Sequence, residues 1–271
     1  ATIRWGTKIP LDKSHTIKRP KKIQKLKIPG LQPNTPYFYQ IEVDGGNGKK
    51  MDSGLLSFRT SVKSGEPFRF AIIGDTETRP HINQQISRMI WDERPNFIVN
   101  MGDLTDGGKQ NAKFQWNYEY LLGMTPLASR VPVFSVPGNG EGDLYWYRRY
   151  HLLPDDEVPY AFNFGDATFF MLDSNRRSRE FAKGTRQYEW LENQLQNSKS
   201  TWKFVALHHA PYTSEENDYG NSWSESSTLG DTQVQQLIPL FEKYNVDIVM
   251  FGHLHLGERT YPIREKKYSA D

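Results

Sequence analysis

The sequence predicts an α/β domain behind a smaller all-β region, and three observations carry that expectation. Residues 63–271 alternate apolar runs with amphipathic stretches, the texture of βαβ units around a largely buried sheet. Residues 1–62 lack that texture and read as short strands separated by turns. Five apolar runs of the second region each end in Gly-Asp, Gly-Asn or histidine, which sets potential ligands at the carboxyl ends of strands. The expected division is therefore residues 1–62 and residues 63–271.

Composition narrows the chemistry before any motif is considered. The 34 lysines and arginines nearly balance 32 aspartates and glutamates, a net charge of +2, which argues against an electrostatic search for nucleic acid or a membrane. With 37% hydrophobic and 13% aromatic residues the chain can bury a large core. Cysteine is absent, which excludes disulfides, thiolate nucleophiles and sulfur-ligated zinc. Any metal must be held by nitrogen and oxygen. No apolar run reaches the roughly 20 residues of a membrane span, and the start lacks the basic-then-apolar layout of a secretion signal.

In the first region Ile3 and Trp5 alternate in a strand-like start, followed by a basic stretch from Lys18 to Lys27. Lysine at that density is read as a solvated sheet edge in preference to a nucleic-acid contact. The turn Gly30-Leu31-Gln32-Pro33-Asn34-Thr35-Pro36 opens into alternating Tyr37, Tyr39, Ile41 and Val43, so one sheet face is buried. Leu31, Pro33, Thr35, Tyr37 and Tyr39 resemble the Leu-x-Pro-x-Thr-x-Tyr-x-Tyr corner of a fibronectin type III domain. Leu56-Ser57-Phe58-Arg59-Thr60 would be its closing strand. A whole sandwich of that kind takes roughly 100 residues, so a partial β-sandwich is expected.

After a linker at 61–67, strands are expected at 68–74, 96–101, 131–136, 202–207 and 246–251, and helices at 81–92, 111–125, 186–197 and 231–244. Residues 160–164 and 167–172 flank Gly165-Asp166, a hairpin signal. The polar stretch 213–229 reads as a long loop beside the rim. Trp116, Tyr118, Tyr145, Trp146, Tyr147, Tyr212, Tyr219 and Trp223 fall in segments expected to border it, to pack the loops or stack on a substituent.

The strand ends collect the chemistry. Asp75 follows Gly74, Asp103 follows Gly102 and Asn139 follows Gly138; His208 and His209 close the fourth run, and Gly252-His253-Leu254-His255 closes the fifth. Glycine before the polar residue is expected to let the chain turn sharply and to leave room for an ion. Each residue alone is weak, because Gly-Asp after a strand is usually a turn. As one set they offer carboxylate, amide and imidazole donors, which suit Zn, Fe or Mn better than Ca or Mg. His253 and His255 share a face of an extended backbone, and a carboxylate such as Asp103 can bridge two neighbouring ions.

The ordered motifs Gly74-Asp75-Thr76, Gly102-Asp103, Gly138-Asn139, His208 and Gly252-His253-Leu254-His255 resemble those of the calcineurin-like metallophosphoesterases, over about residues 68–263. The preceding β region and the tail Glu258-Arg259-Thr260-Tyr261-Pro262-Ile263 make the chain most similar to the purple acid phosphatase branch. The resemblance implies a four-layer αββα sandwich and hydrolysis of a small-molecule phosphoester by two divalent or trivalent ions, Fe, Zn or Mn. It implies one metal position from Asp75, Asp103 and His255 and a second from Asp103, Asn139, His208 and His253. His208 is preferred to His209 as ligand because it stands four residues before Tyr212, with His209 the fallback in the catalytic set beside Asp103 and Asn139. Two ions on the order of 3.5–4 Å apart acidify a water, orient it in line with phosphorus and neutralise the transition-state oxygens. Secreted or periplasmic residence is expected by the same resemblance, and oligomeric state is left open.

Three departures from the family pattern stand out. Gly140, in Gly138-Asn139-Gly140-Glu141, occupies the position of the motif histidine that protonates the leaving oxygen, a contribution of roughly 10² to 10⁴. Restoring that imidazole with Gly140→His is expected to raise turnover of alkyl esters, and His81 and His151 are candidate substitutes. Asp106 replaces the branch's tyrosine and reads as a turn residue. Glu77 stands where many relatives place a histidine ligand and suits either a hard metal or the start of the next helix. Only 16 residues follow His255, so some apolar rim surface is expected to lack cover. The competing class is a non-catalytic, metal-containing module that binds phosphorylated or glycan ligands.

Overall fold

The computed structural model describes residues 1–271 except 20, 47, 155–156, 216–226, 265–266 and 269–271. The first region forms a five-stranded antiparallel sheet from β1 (Thr2–Gly6), β2 (Lys13–Thr16), β3 (Pro36–Asp44), β4 (Lys50–Asp52) and β5 (Leu56–Arg59). The long β3 pairs with β1, β4 and β5. Tyr37 explains the corner motif: its ring is buried against Phe58, 5.6 Å between centroids, and its hydroxyl accepts the Gln32 N–H at 3.0 Å. That tie pins the Pro-rich turn to the strand it feeds. Among the described residues the region is one sheet, where a sandwich needs two. The basic stretch is also not the sheet edge expected for it: the edge strand is β2, and Lys18 to Lys27 lies outside the strands.

Two larger sheets build the second region, beside a two-stranded antiparallel pair of β13 (Ile263–Arg264) and β14 (Lys267–Tyr268). β6 (Phe70–Ile73), β7 (Phe97–Asn100) and β8 (Val133–Ser135) form a parallel sheet, while β9 (Tyr160–Phe164), β10 (Ala167–Met171), β11 (Trp202–Ala206) and β12 (Ile248–Met250) form a second in the order β12-β11-β10-β9. Within these two sheets only the β9–β10 hairpin is antiparallel. Period-two alternation sorts the side chains. Phe70, Phe97 and Phe134 face Phe162, Phe164, Phe169 and Phe204 across the sandwich, with Phe97 and Phe164 4.5 Å apart. On the opposite face of the second sheet, Phe170, Leu172, Val205 and Leu207 pack against α6 (Arg186–Asn197) and α7 (Ile238–Lys243). Each such fully buried side chain contributes about 1.5–3 kcal/mol. Against the first sheet lie α1 (Pro80–Asp92) and α3 (Leu122–Ala128), whose Ile90, Trp91, Met124 and Leu127 join the main core. The result is four layers: helices, sheet, sheet, helices.

The expected helix at 111–125 is broken up: α2 (Lys113–Gln115) passes through a π-helical stretch (Trp116–Leu121) into α3, which runs past Pro126. The loss at Pro126 is one N–H at the Leu122 carbonyl, and Gln84 supplies a donor there at 3.0 Å. The helix at 231–244 begins as a 3₁₀ turn over Val234–Leu237, with Asp231 accepting the Gln233 N–H at 2.8 Å. The short helices α4 (Tyr145–Tyr150) and α5 (Arg177–Glu180) were not anticipated. At the outer strands β6 and β12, Ile72 and Ile248 are each 51% exposed, although period-two alternation and register set them on the side of Phe70 and Phe204, between the sheets.

Candidate metal centre

Loops leaving β6, β7, β8, β11 and β12 bring Asp75, Asp103, Asn139, His208, His253 and His255 to one rim. Ligand atoms of Asp103, His208 and His253 lie within 4.8 Å of one another, as do those of Asp75, Asp103 and His255. Asp103 is common to both groups. Within the first group, His208 Nδ1–H donates to the Met101 carbonyl at 2.8 Å, which leaves Nε2 with its lone pair in the neutral ring. Around that Nε2 stand Asn139 Oδ1 at 3.1 Å, His253 Nδ1 at 3.2 Å and Asp103 Oδ2 at 3.3 Å. Carboxylate and amide oxygens set against an imidazole lone pair in a partly buried pocket are the arrangement a cation neutralises, so the residues present fit a metal.

A proton on His208 Nε2 is the other charge that satisfies the same acceptors. Burial pulls the His208 ring down, but the adjoining Asp103 carboxylate prevails and holds it above its usual value. Conversely, burial raises Asp103, and the His208 hydrogen bond brings it below the ordinary carboxylate range. Asp75 and Glu77 are both raised, first by burial. Glu77 Oε1 stands 3.2 Å from His255 Nε2, and Glu77 Oε2 is buried without a partner.

Backbone strain is concentrated here. Asp75 (φ 53°), Asp103 (48°), His253 (75°) and His255 (54°) all occupy the left-handed region, which costs an L-residue roughly 1–2 kcal/mol each. Of the preceding glycines, Gly102 (φ 93°) makes the sharp turn expected, whereas Gly138 and Gly252 supply room instead. Gly138 has φ −97°, and a Cβ there would fall 2.1 Å from Asp103 Oδ1; one on Gly252 would fall 2.6 Å from Asp75 Oδ2. These glycines clear space for carboxylates arriving from neighbouring strands.

Gly140 is built in the same way. Its N–H donates to Asp103 Oδ1 at 2.7 Å, and its carbonyl accepts the Gly108 N–H at 2.7 Å. A Cβ would stand 1.9 Å from the Thr105 carbonyl oxygen. The 105–108 loop thus closes over the place where a side chain would leave the backbone, so the expected rescue by Gly140→His requires that loop to move.

Sequence reasoning missed three supports. Glu141 is fully buried and accepts the N–H groups of Asp103, Leu104, Thr105 and Gly138, the last at 2.6 Å, so it locks two ligand loops together. Ser174 Oγ accepts the N–H groups of His208 and His209 at 3.1 and 3.0 Å. Asn175 donates to the Gly138 carbonyl at 2.8 Å. The signal was available, since β10 also ends in a polar triplet, Asp173-Ser174-Asn175.

The remaining candidates separate. With both Ser174 lone pairs in use, its proton goes to His209 Nδ1 at 2.8 Å, which leaves His209 with N–H at Nε2. Burial pushes His209 down to about 2; it lies outside both converging groups, although its ring centroid is 4.6 Å from that of His253. His151 is a core histidine between the Tyr120 hydroxyl and the Tyr147 carbonyl, and His81 is exposed at the start of α1, so neither substitutes for the missing imidazole. Asp106 is an exposed turn residue whose N–H is held by Glu119. Trp116 and Tyr147 are fully buried in the core. Tyr219 and Trp223 lie outside the described residues, as does most of the loop 213–229; its start is held by Glu258, which accepts from Thr213 and Ser214.

The order of these motifs along the chain is matched by a family model, the calcineurin-like phosphoesterases, over residues 68–257. The chain belongs to this family. It is 28% identical to purple acid phosphatase 15 of Arabidopsis thaliana over 88% of this chain and 49% of that protein. It is 30% identical to probable purple acid phosphatase 20 of the same plant, covering 93% and 58%, and 26% identical to its probable inactive purple acid phosphatase 24, covering 88% and 43%. The fold matches a purple acid phosphatase from yellow lupin (Lupinus luteus) seeds with a TM-score of 0.76 at 21% identity, over 98% of this chain and 55% of that one. The chain thus spans about half the length of the relatives it matches. Membership of the family implies a dinuclear metal centre, and the two donor groups are where this phosphoesterase chain offers one. No helix among the described residues is long and apolar enough to cross a membrane.

Proposed function

We propose that this rim hydrolyses small phosphoesters, with Asp75, Asp103 and His255 holding one metal ion and Asp103, Asn139, His208 and His253 the other. The observation that carries the reading is the pair of donor groups joined through Asp103. Bound there, a pair of Fe, Zn or Mn ions supplies Lewis acidity and an activated water. The chain's own work is positioning. Gly140 N–H holds one Asp103 oxygen, Met101 fixes the His208 tautomer, and Glu141 fastens the loops that carry Asp103 and Asn139. His209, kept neutral by burial, retains an Nε2–H donor for a phosphoryl oxygen.

With glycine at 140 no imidazole protonates the departing oxygen. Esters with good leaving groups are therefore the substrates, and poor ones suffer by roughly 10² to 10⁴. A paired assay with an aryl and an alkyl phosphate in Mn, Zn or Fe tests this, and aryl hydrolysis well ahead of alkyl is the expected result. Turnover of neither despite bound metal would favour the non-catalytic binding module, for which the closed loop over Gly140 is the supporting observation. Residence outside the cytoplasm belongs to this reading through the resemblance to secreted two-domain phosphatases.

A further inference from the structure

The basic stretch left over from the sheet edge has a definite place. Lys18, Arg19, Lys21, Lys22 and Lys25 form one wall of a groove of about 840 Å³, and Lys113, Trp146, Arg148 and Arg149 line the other. No acidic residue is among its lining in the described residues, although the chain as a whole is nearly neutral at +2. The walls are tied together by Lys25 Nζ, which donates to the Arg148 carbonyl at 2.7 Å. Eight cationic side chains converging on one concavity repel one another, and a bound anion relieves that repulsion.

We propose that this groove binds a linear, phosphate-dense polyanion that carries no bases. Its aromatic lining among the described residues is His15 and Trp146, and Trp146 already has its indole N–H on the Gln110 carbonyl at 2.9 Å and the Lys113 ammonium 5.2 Å from its ring centroid. A single-stranded nucleic acid needs a run of successive stacking platforms, which two rings do not make. A bilayer surface is too flat to reach both walls. The groove also adjoins the metal rim: Gly140 bonds Gly108, and two residues on, Gln110 bonds Trp146. That path spans no more than about 16 Å. The inference does not require catalysis.

The test is binding of long-chain inorganic polyphosphate to the whole chain, followed by fluorescence anisotropy, with heparin as the sulfate-based source of the same chemistry. Affinity should fall by about 10³ between roughly 50 and 200 mM salt. The double variant Arg148→Gln/Arg149→Gln should bind at least tenfold more weakly, with a shallower salt dependence, while Lys50→Gln on the exposed β4 should bind as the parent does. Tighter binding of heparin than of polyphosphate would move the assignment from phosphate to sulfate polymers and overturn the phosphate part. Equal loss in Lys50→Gln, stronger binding of an oligothymidylate or of anionic vesicles, or no binding at low salt would each overturn the proposal. An unchanged melting temperature in the double variant shows that any loss is not unfolding. Because the readout is binding without turnover, it stands or falls separately from phosphoester hydrolysis.

Discussion

The two halves of the metal rim share Asp103 and differ in almost everything else. In the half containing His208 the central donor is buried and braced, although His253 is half-buried and Asn139 exposed: the His208 side chain is 0% exposed, its Nδ1 is held by Met101 and its backbone by Ser174. In the other half the His255 side chain is 65% exposed and, among the described residues, its ion-pair partners are Asp75 and Glu77, at 3.7 and 3.2 Å. A preorganised site loses little entropy on binding, and an open one exchanges its ligand with water more readily. The contrast implies one ion held tightly and one exchanged easily.

Removing the shared donor should have the largest effect. Asp103→Asn is expected to empty both halves and lower aryl phosphate turnover by roughly 10³, read by elemental analysis beside kinetics; retention of both ions would break the bridging role. His208→Ala should cost metal and fold together, about 2–4 kcal/mol of unfolding free energy, because it leaves a cavity and orphans buried acceptors. His255→Ala should release metal from the open half with stability changed by less than about 0.5 kcal/mol, and equal melting losses in the two variants would erase the comparison.

A histidine outside both halves sharpens the point. His151 is buried like His208, but no carboxylate among the described residues holds it up, and burial pushes it down from 6.5 to about 4. The unfolded chain therefore binds a proton that the folded chain refuses, so stability present above pH 6.5 should drain as pH falls from 6.5 toward 4. The total is at most roughly 3 kcal/mol. Denaturant melts of parent and His151→Phe across that window check it: the variant should lose this part of the slope and keep the part of the same sign that His209 contributes. Ser174→Ala should weaken metal retention in the buried half by roughly 10–100-fold, with the open half following less. Glu77→Gln should be mildest, at most about tenfold on the open half with an unchanged melting temperature. A loss in the buried half instead would misplace Glu77.

How much of this was legible depended on whether a feature is local. The hairpin at 160–164, the helix at 186–197 and the six rim residues each follow from periodicity or from what terminates an apolar run. The helix at 111–125 was harder, because its π-helical stretch and its passage beyond Pro126 depend on packing and on Gln84 from another helix. Glu141 was in view as part of the third motif, yet its four N–H partners belong to residues 36–38 positions away and to Gly138.

The order and chemical type of the donors, the alternation that makes a layered α/β fold, and the absence of sulfur ligands were determined by the sequence alone, since each is a property of neighbouring residues. Tertiary structure decided that glycines 138, 140 and 252 exist to let carboxylates and loops approach, that the ligands themselves carry the left-handed backbone, and that a basic tail of a small sheet becomes the wall of a groove. The physical reason is the same in each case: steric exclusion and electrostatic convergence act between segments far apart along the chain, and no local pattern records which segments will meet.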